Sequence, residues 1–327
     1  MKAAWYERNG DAADVLTVGE MAMDDPGEGE IRVRLHASGV NPSDVKNRSG
    51  ISRKLAFPRQ IPDSDGAGLV EALGPGVTQF AVGDRVWVYN GAFGRPHGTS
   101  AQFITLPSHQ VAALPEGLDF AQGACLGIPA VTAHRCVFAD GAVDGQWVLV
   151  AGGSGVVGHY AVQLAKWGGA NVIATVSSQE KAEVARAGGA DHVLDYKRDP
   201  LGERVAEITA GKGVDRIVEV ELSNLEQDLQ MIRSDGTVAI FGMAPGNELR
   251  IPSFAIIAGK NPIIRGVLVY TMSDAAKAQA VSDLAKWCAA GNPQFSIAAR
   301  FPLDEVVAAH EYVEAGTKIG HVVLDID

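Results

Sequence analysis

Two rhythms of apolar and polar positions divide the chain near residue 130. Before that point the apolar residues come in short runs. Ile31–Ala37 alternates with period two, which predicts a half-buried strand. Gly68–Leu73, Asp84–Tyr89 and Gln102–Leu106 predict further strands, and Pro26, Pro42, Pro58, Pro62, Pro75, Pro107 and Pro115 punctuate the stretch. The expectation is a small, mostly antiparallel, barrel-like domain. Beyond residue 130 the apolar runs are nearly continuous: Val148–Ala151, Val172–Val176, His192–Leu194, Arg216–Val220, Val238–Phe241 and Ile263–Val269. Helical patterns such as Gln179–Ala187 and Leu225–Ile232 separate most of them. This alternation predicts a parallel sheet covered on both faces, in a doubly wound α/β fold of six strands. The last segment predicts helices over Ala275–Ala289 and Asp304–Glu314 and a strand over His321–Ile326. It is expected to return to the first domain. The expected domains are therefore 1–129 with 270–327, and 130–269.

The most specific local signal follows the first strand of the second region. Gly153, Gly155 and Gly158 match G-x-G-x-x-G between the apolar run ending at Ala151 and the helical stretch His159–Lys166. The first glycine is expected to make a tight turn. The second would let the backbone approach a pyrophosphate, and the third would let helix and strand pack closely. The following helix would aim its free N–H groups and its dipole at the phosphates. A glycine-rich turn alone is weak evidence, but here a buried strand precedes it and a second strand, Val172–Val176, follows at the right distance.

Composition narrows the class. The 327 residues are 46% hydrophobic and 20% charged, enough for a large core and roughly two domains. A net charge of -11 argues against nucleic acid or an anionic membrane as partner. No apolar run approaches the ~18 residues of a membrane helix, and the charged N-terminus shows no secretory h-region. The three cysteines, Cys125, Cys136 and Cys288, are far apart and give no disulfide framework, so a reducing, cytoplasmic setting is expected.

The order of these regions resembles the medium-chain dehydrogenase/reductase superfamily. Ser38–Asp44, Asp63–Gly68 and Gly83–Val86 occur in that family's order, and Leu126–Ala133 resembles the segment opening the nucleotide domain of zinc-free quinone oxidoreductases of the zeta-crystallin type. The resemblance covers essentially the whole chain, to Gly320–Leu324. It implies a GroES-like, mostly antiparallel β-barrel catalytic domain joined to a doubly wound six-stranded Rossmann domain, and it supports a homodimer, expected because the apolar sixth strand, Ile263–Tyr270, should lie at a sheet edge and pair with its own copy, with a covering C-terminal segment as the alternative. It also implies cofactor contacts at Gly153, Ser154, Gly155, Val156, Val157, Ser177, Lys181, Tyr196, Phe241, Gly242, Val267 and Val269.

Where zinc-dependent alcohol dehydrogenases of the superfamily hold catalytic zinc, this chain has Asn41, Ser64-Asp65 and Ile128. An amide, a hydroxyl and an aliphatic side chain cannot build the usual nitrogen and sulfur site, and the cysteine-rich structural-zinc lobe is missing. No metal is expected. Without a Lewis acid a simple alcohol is a poor hydride donor. An already electrophilic quinone or conjugated enone is therefore the expected substrate.

NAD-specific folds place an acid near the tip of the second strand. Here that tip reads Val176-Ser177-Ser178, with Lys181 beyond, so NADPH is the expected cofactor. The competing reading of this segment is a helix N-cap serine followed by a solvated lysine. Asn41 is read as a contact near nicotinamide or substrate, with an Asx turn as the alternative. Lys46 stands where many relatives have Tyr, and is either a substrate contact or a solvated lysine. Thr132 matches a family threonine near the nicotinamide. Asp65 is read as structural or electrostatic, and Asp63, Cys125 and His134 as packing or solvent-facing. Tyr270 and Met272 follow the sixth strand, where the family's substrate cleft is lined. The expected activity is an NADPH-dependent quinone reductase. The alternatives are a 2-enoyl or enone reductase and a non-catalytic NADPH-binding protein.

Overall fold

The computed structural model describes residues 1–327 except 245, 247–249, 251, 292, 317 and 318. The chain divides into two compact units, Met1–Ile128 with Phe295–Asp327, and Pro129–Gln294. The first stretch runs β1 (Lys2–Trp5), α1 (Ala12–Val15), β2 (Thr17–Glu20), β3 (Glu30–Val40), α2 (Pro42–Ser49), β4 (Asp65–Leu73), β5 (Arg85–Val88), β6 (Phe103–Pro107), β7 (Val111–Ala113) and α3 (Phe120–Gly123).

The second unit alternates as its apolar rhythm predicts. Its elements are α4 (Ile128–Phe138, whose first residue still belongs to the first unit), β8 (Trp147–Val150), α5 (Val156–Trp167), β9 (Asn171–Val176), α6 (Gln179–Ala187), β10 (His192–Asp195), α7 (Leu201–Ile208), β11 (Val214–Glu219), α8 (Leu225–Met231), β12 (Ile232–Ile240), α9 (Phe254–Lys260), β13 (Ile263–Gly266) and α10 (Asp274–Ala290). The six strands pair in the order β10-β9-β8-β11-β12-β13, all parallel. The strand order reverses between β8 and β11, which places a crevice outside their carboxyl ends. Leu149 is in register with Ile173 and Ile217, and Ile217 with Val238. These four buried side chains form a row across one face of the sheet, each contributing about 1.5–3 kcal/mol of hydrophobic stabilisation.

β12 and β13 are among the elements whose boundaries differ from the sequence reading. β12 starts at Ile232, before the apolar run: Ile232 pairs with Val214 and Thr237 with Arg216, and the polar residues Arg233, Ser234 and Asp235 fall in the irregularity between those two pairs. β13 ends at Gly266, and Val269–Thr271 forms a 3-10 turn. Val267 extends the ladder by one bond, its N–H donating to the Ile240 carbonyl at 2.8 Å.

The return to the first unit comes at Phe295, not at 270. α10 belongs to the second unit: Leu284 and Trp287 are buried, and the Trp287 ring meets Tyr160 of α5 edge-on at 6.0 Å. An amphipathic pattern says that a helix buries one face, not which domain covers it. β14 (Ile297–Pro302), α11 (Val306–Ala315) and β15 (His321–Asp325) then complete the first unit. Its main sheet runs β14-β15-β3-β4-β5-β7, with β6 also on β3, and β1 and β2 form a separate ladder. The long β3 pairs with β15 and β6 along one edge and with β4 along the other. Ile31, Val33 and Leu35 alternate into a core shared with Val70, Val86, Ile104 and Leu106. All pairings in this sheet are antiparallel except β14 with β15.

Candidate cofactor and catalytic site

In the second unit, the glycine-rich segment is a turn between β8 and α5. The tight turn is made by Gly152, at φ +64, where side-chain-bearing residues are strained. The sequence reading gave this task to Gly153, which does another: a Cβ there would lie 2.7 Å from the Ala174 Cβ, so Gly153 lets β9 pass close by. A Cβ on Gly158 would lie 2.2 Å from the Gly152 carbonyl oxygen, which lets helix and turn pack together. Gly155 is different. It is exposed, and an added Cβ would touch only the Gly152 oxygen, at 3.3 Å.

Gly155 is the N-cap of α5, and no side chain caps the helix. The first N–H groups of an α-helix have no intrahelical partner, so this open end presents donors and a positive dipole to an anion. Ser154 is buried beside it, and Val156 and Val157 are half-buried in the first turn. The turn is fixed to β9 at two points. The Gly152 N–H donates to the Thr175 hydroxyl at 3.2 Å, and the Gly153 N–H to the Thr175 carbonyl at 3.0 Å. Thr175 went unnoticed in the sequence, where it reads as one more β-branched strand residue.

At the tip of β9, Lys181 Nζ donates to the Ser177 hydroxyl at 3.1 Å, while Ser178 caps α6, accepting from the Lys181 N–H at 3.3 Å. The N-cap reading is thus right for Ser178, and Ser177 with Lys181 forms a second, separate pair. Tyr196, just past β10, lines a pocket of 330 Å³ together with Gly152, Thr175, Glu219, Asn224 and Asp228. At the far side of the carboxyl edge, the Phe241 N–H donates to the Glu219 carbonyl at 3.0 Å, and the Gly242 carbonyl accepts from Leu222 N–H at 3.0 Å. Val267 and Val269 are buried at the end of the sixth strand, as is Tyr270, while Met272 is half-buried.

That pocket holds a feature that sequence reasoning missed. Glu219 and Asp228 are both buried and share a hydrogen bond. Burial first, and the Glu219 charge second, push the Asp228 carboxyl up to about 9. Glu219 is pushed up as well by burial, opposed by hydrogen bonds from the Glu221 N–H and the Asn224 amide. Nine positions apart on a strand and a helix, the two acids carry no local spacing signal.

In the first unit, Asn41 caps α2 and is buried. Its backbone N–H donates to Asp44 Oδ2 at 2.9 Å, and its Nδ2 donates to Asp65 Oδ2, also at 2.9 Å. The same Asp65 oxygen accepts the Ile128 N–H at 2.8 Å. Asp65 is fully buried, and burial pushes its carboxyl up to about 8, against the pull of these donors. Lys46 is half-buried on α2. Thr132 lies buried on α4 in the second unit. Asp63 is buried with His310 at 3.3 Å, the Cys125 thiol donates to the Ala121 carbonyl at 3.2 Å, and His134 pairs with Asp283 at 3.0 Å. All three pack; none faces solvent.

Two family models match: an alcohol dehydrogenase GroES-like domain over residues 27–116 and a zinc-binding dehydrogenase over residues 156–287. The chain is 34% identical to a 2-haloacrylate reductase of Burkholderia sp, over 93% of both chains. It is 34% identical to the quinone oxidoreductase of Rattus norvegicus, over 91% of this chain and 90% of that one. This chain belongs to the zinc-independent quinone oxidoreductase branch of the medium-chain dehydrogenase/reductase superfamily. Among solved structures, an NAD-dependent alcohol dehydrogenase superposes with a TM-score of 0.89 at 30% identity, covering 100% of both chains. The Escherichia coli quinone oxidoreductase complexed with NADPH superposes with a TM-score of 0.86 at 26% identity, covering 99% of this chain and 100% of that one.

The zinc named in one family description has no donor set among the described residues. Among the described residues, no three or more His, Cys, Asp or Glu side chains are grouped to hold a metal. Asn41, Ser64 and Ile128 offer no thiolate or imidazole. Among the described residues no helix is long and apolar enough to cross a membrane.

Proposed function

We propose that this protein is an NADPH-dependent, zinc-independent reductase of quinones or related conjugated carbonyls. The observation that carries the reading is the carboxyl edge of the second unit. An uncapped helix start with open space at Gly155 lies next to a strand tip furnished with Ser177 and Lys181. The first suits a pyrophosphate. The second suits a 2′-phosphate, because a hydroxyl and an ammonium stand where an NAD site needs a carboxylate. The Escherichia coli relative is a complex with NADPH, which supports the choice; the NAD-dependent relative makes it worth testing directly.

When bound, NADPH supplies a hydride to an electrophilic carbon. The chain's own part is to hold the cofactor at the open end of α5 and to offer polar groups to the oxygen that gains charge, with Asn41, Lys46 and Thr132 as the candidates. Because the donor set does not fit zinc, stabilisation rests on hydrogen bonds, which is sufficient where the developing charge is delocalised. A second reading, reduction of a conjugated carboxylate, is favoured by Lys46, a cation where many quinone reductases of the family have Tyr, and by the likeness to a 2-haloacrylate reductase. Oxidation of NADPH and of NADH with a panel of quinones, enones and enoates tests both readings. Turnover with NADPH and a quinone or enone supports the first, and turnover confined to enoates supports the second. No turnover with any acceptor refutes both. We also propose a homodimer paired through β13, an edge strand whose Ile263 and Ile264 are exposed.

A further inference from the structure

We propose that Asp65 is the positioning residue of the catalytic centre, fixing the orientation of the Asn41 amide; this rests on the reading of Asn41 as a substrate-side group. Asn41 is held at both ends. Asp44 fixes its backbone N–H and Asp65 its side chain. A free asparagine amide has two orientations of nearly equal shape that present opposite hydrogen-bonding atoms. Asp65 removes the choice, because Oδ2 accepts two hydrogen bonds, from Asn41 Nδ2 at 2.9 Å and from the Ile128 N–H at 2.8 Å. Only the nitrogen side of the amide can satisfy it. A proton on Asp65 does not disturb this arrangement: Oδ1 is buried without a hydrogen-bond partner and can carry it.

The backbone that carries the carboxyl is tied down as well. The Asp65 carbonyl accepts from the Thr99 hydroxyl at 2.9 Å, and Thr99 bonds to Ser38 at 2.7 Å. A Cβ on Gly127 would lie 2.0 Å from Asp65 Oδ1, so a glycine is needed there for the loop to close over the acid. One buried oxygen thereby joins Asn41 to Ile128 and sets the orientation of the amide before substrate arrives, as preorganised hydrogen bonding requires.

The test is a double-mutant cycle on the full chain, with NADPH and whichever acceptor the unmodified protein reduces. If it reduces none, the functional reading fails before this one is reached. Asn41→Ala is expected to lower kcat by ~100-fold, the scale of one lost oxyanion donor. Asp65→Asn, which presents an amide N–H to Asn41 and permits the wrong orientation, is expected to lower kcat ~10-fold or more. The NADPH dissociation constant should stay within about twofold, because Asp65 acts on the orientation of Asn41 and not on the turn that holds the phosphates. The double variant should be no slower than Asn41→Ala alone, since Asp65 acts through Asn41. A general structural role for Asp65 predicts instead that the losses multiply. Multiplied losses, or an unchanged kcat in Asp65→Asn, overturn the proposal. Should Asp65→Asn not fold, Gly127→Ala presses on the carboxyl without removing it. The same kcat loss, absent in the Asn41→Ala background, supports the proposal, and a loss that persists there overturns it.

Discussion

Two glycines three positions apart on one turn should fail in opposite ways. In Gly158→Ala the new methyl would start 2.2 Å from the Gly152 carbonyl oxygen. A carbon and an oxygen rest no closer than about 3.3 Å. Helix α5 and its turn must therefore separate by roughly 1 Å, and such overpacking costs about 1–3 kcal/mol. In Gly155→Val the new Cβ meets only one atom, at 3.3 Å, and the backbone sits at φ -71 and ψ 162, where valine is unstrained. Stability should change by less than about 1 kcal/mol, mostly from replacing an N-cap glycine. The side chain would occupy the space assigned to the pyrophosphate. Hydrogen bonds to a charged group contribute about 1.5–3 kcal/mol each, so losing one weakens NADPH roughly 10- to 150-fold, and losing two or more removes measurable binding. Urea unfolding of the apo protein and fluorescence titration with NADPH separate the two effects. The expected pattern is a stable Gly155→Val that does not bind and a destabilised Gly158→Ala. A Gly155→Val variant that folds and binds NADPH like the parent would place the phosphates elsewhere and refute the reasoning.

Three further outcomes follow from other parts of the molecule. Lys181→Ala should weaken NADPH by ~1–2 kcal/mol while leaving NADH nearly unchanged, as expected for one partly exposed charge-assisted contact; equal losses for both cofactors would mean that Lys181 does not read the phosphate. Asp228 keeps its proton to about pH 9 when folded but releases it near 4 when unfolded. Folding stability should therefore fall as pH rises through that window, by at most about 1.4 kcal/mol per unit from this group, and Asp228→Asn should remove that slope; parallel pH profiles of urea midpoints for the two proteins would contradict the protonated, buried Asp228. Sedimentation should show twice the 34.3 kDa chain mass, and Ile264→Lys on the β13 edge should yield the monomer; a monomeric parent protein would rule out the edge pairing.

What the sequence made legible were features with a local period or spacing. Apolar strands such as Val148–Ala151 and Val172–Val176 announce themselves because a parallel sheet covered on both faces leaves few polar positions inside them. The glycine motif was legible for the same reason, although the left-handed turn fell to Gly152, which the spacing does not select. Contacts set by tertiary packing were not legible. The hub at Asp65 joins positions 41, 65 and 128, and each looks unremarkable alone. The Glu219–Asp228 pair exists because the chain brings Asp228 on α8 beside Glu219 at the end of β11, a fact that no hydrophobic period encodes. The placement of α10 is not legible in the sequence because its apolar stripe gives the direction of burial without the partner.

The central claim is direct hydride transfer from NADPH to a conjugated acceptor without a metal. It is tested most directly by running the reaction with NADPH deuterated at nicotinamide C4, a conjugated enone and a strong zinc chelator, and locating the label in the product by mass spectrometry. The account predicts turnover that the chelator leaves unchanged, with one deuterium on the carbon β to the carbonyl when the transferred face is labelled. Unlabelled product from both faces, or activity that the chelator abolishes and zinc restores, would contradict it.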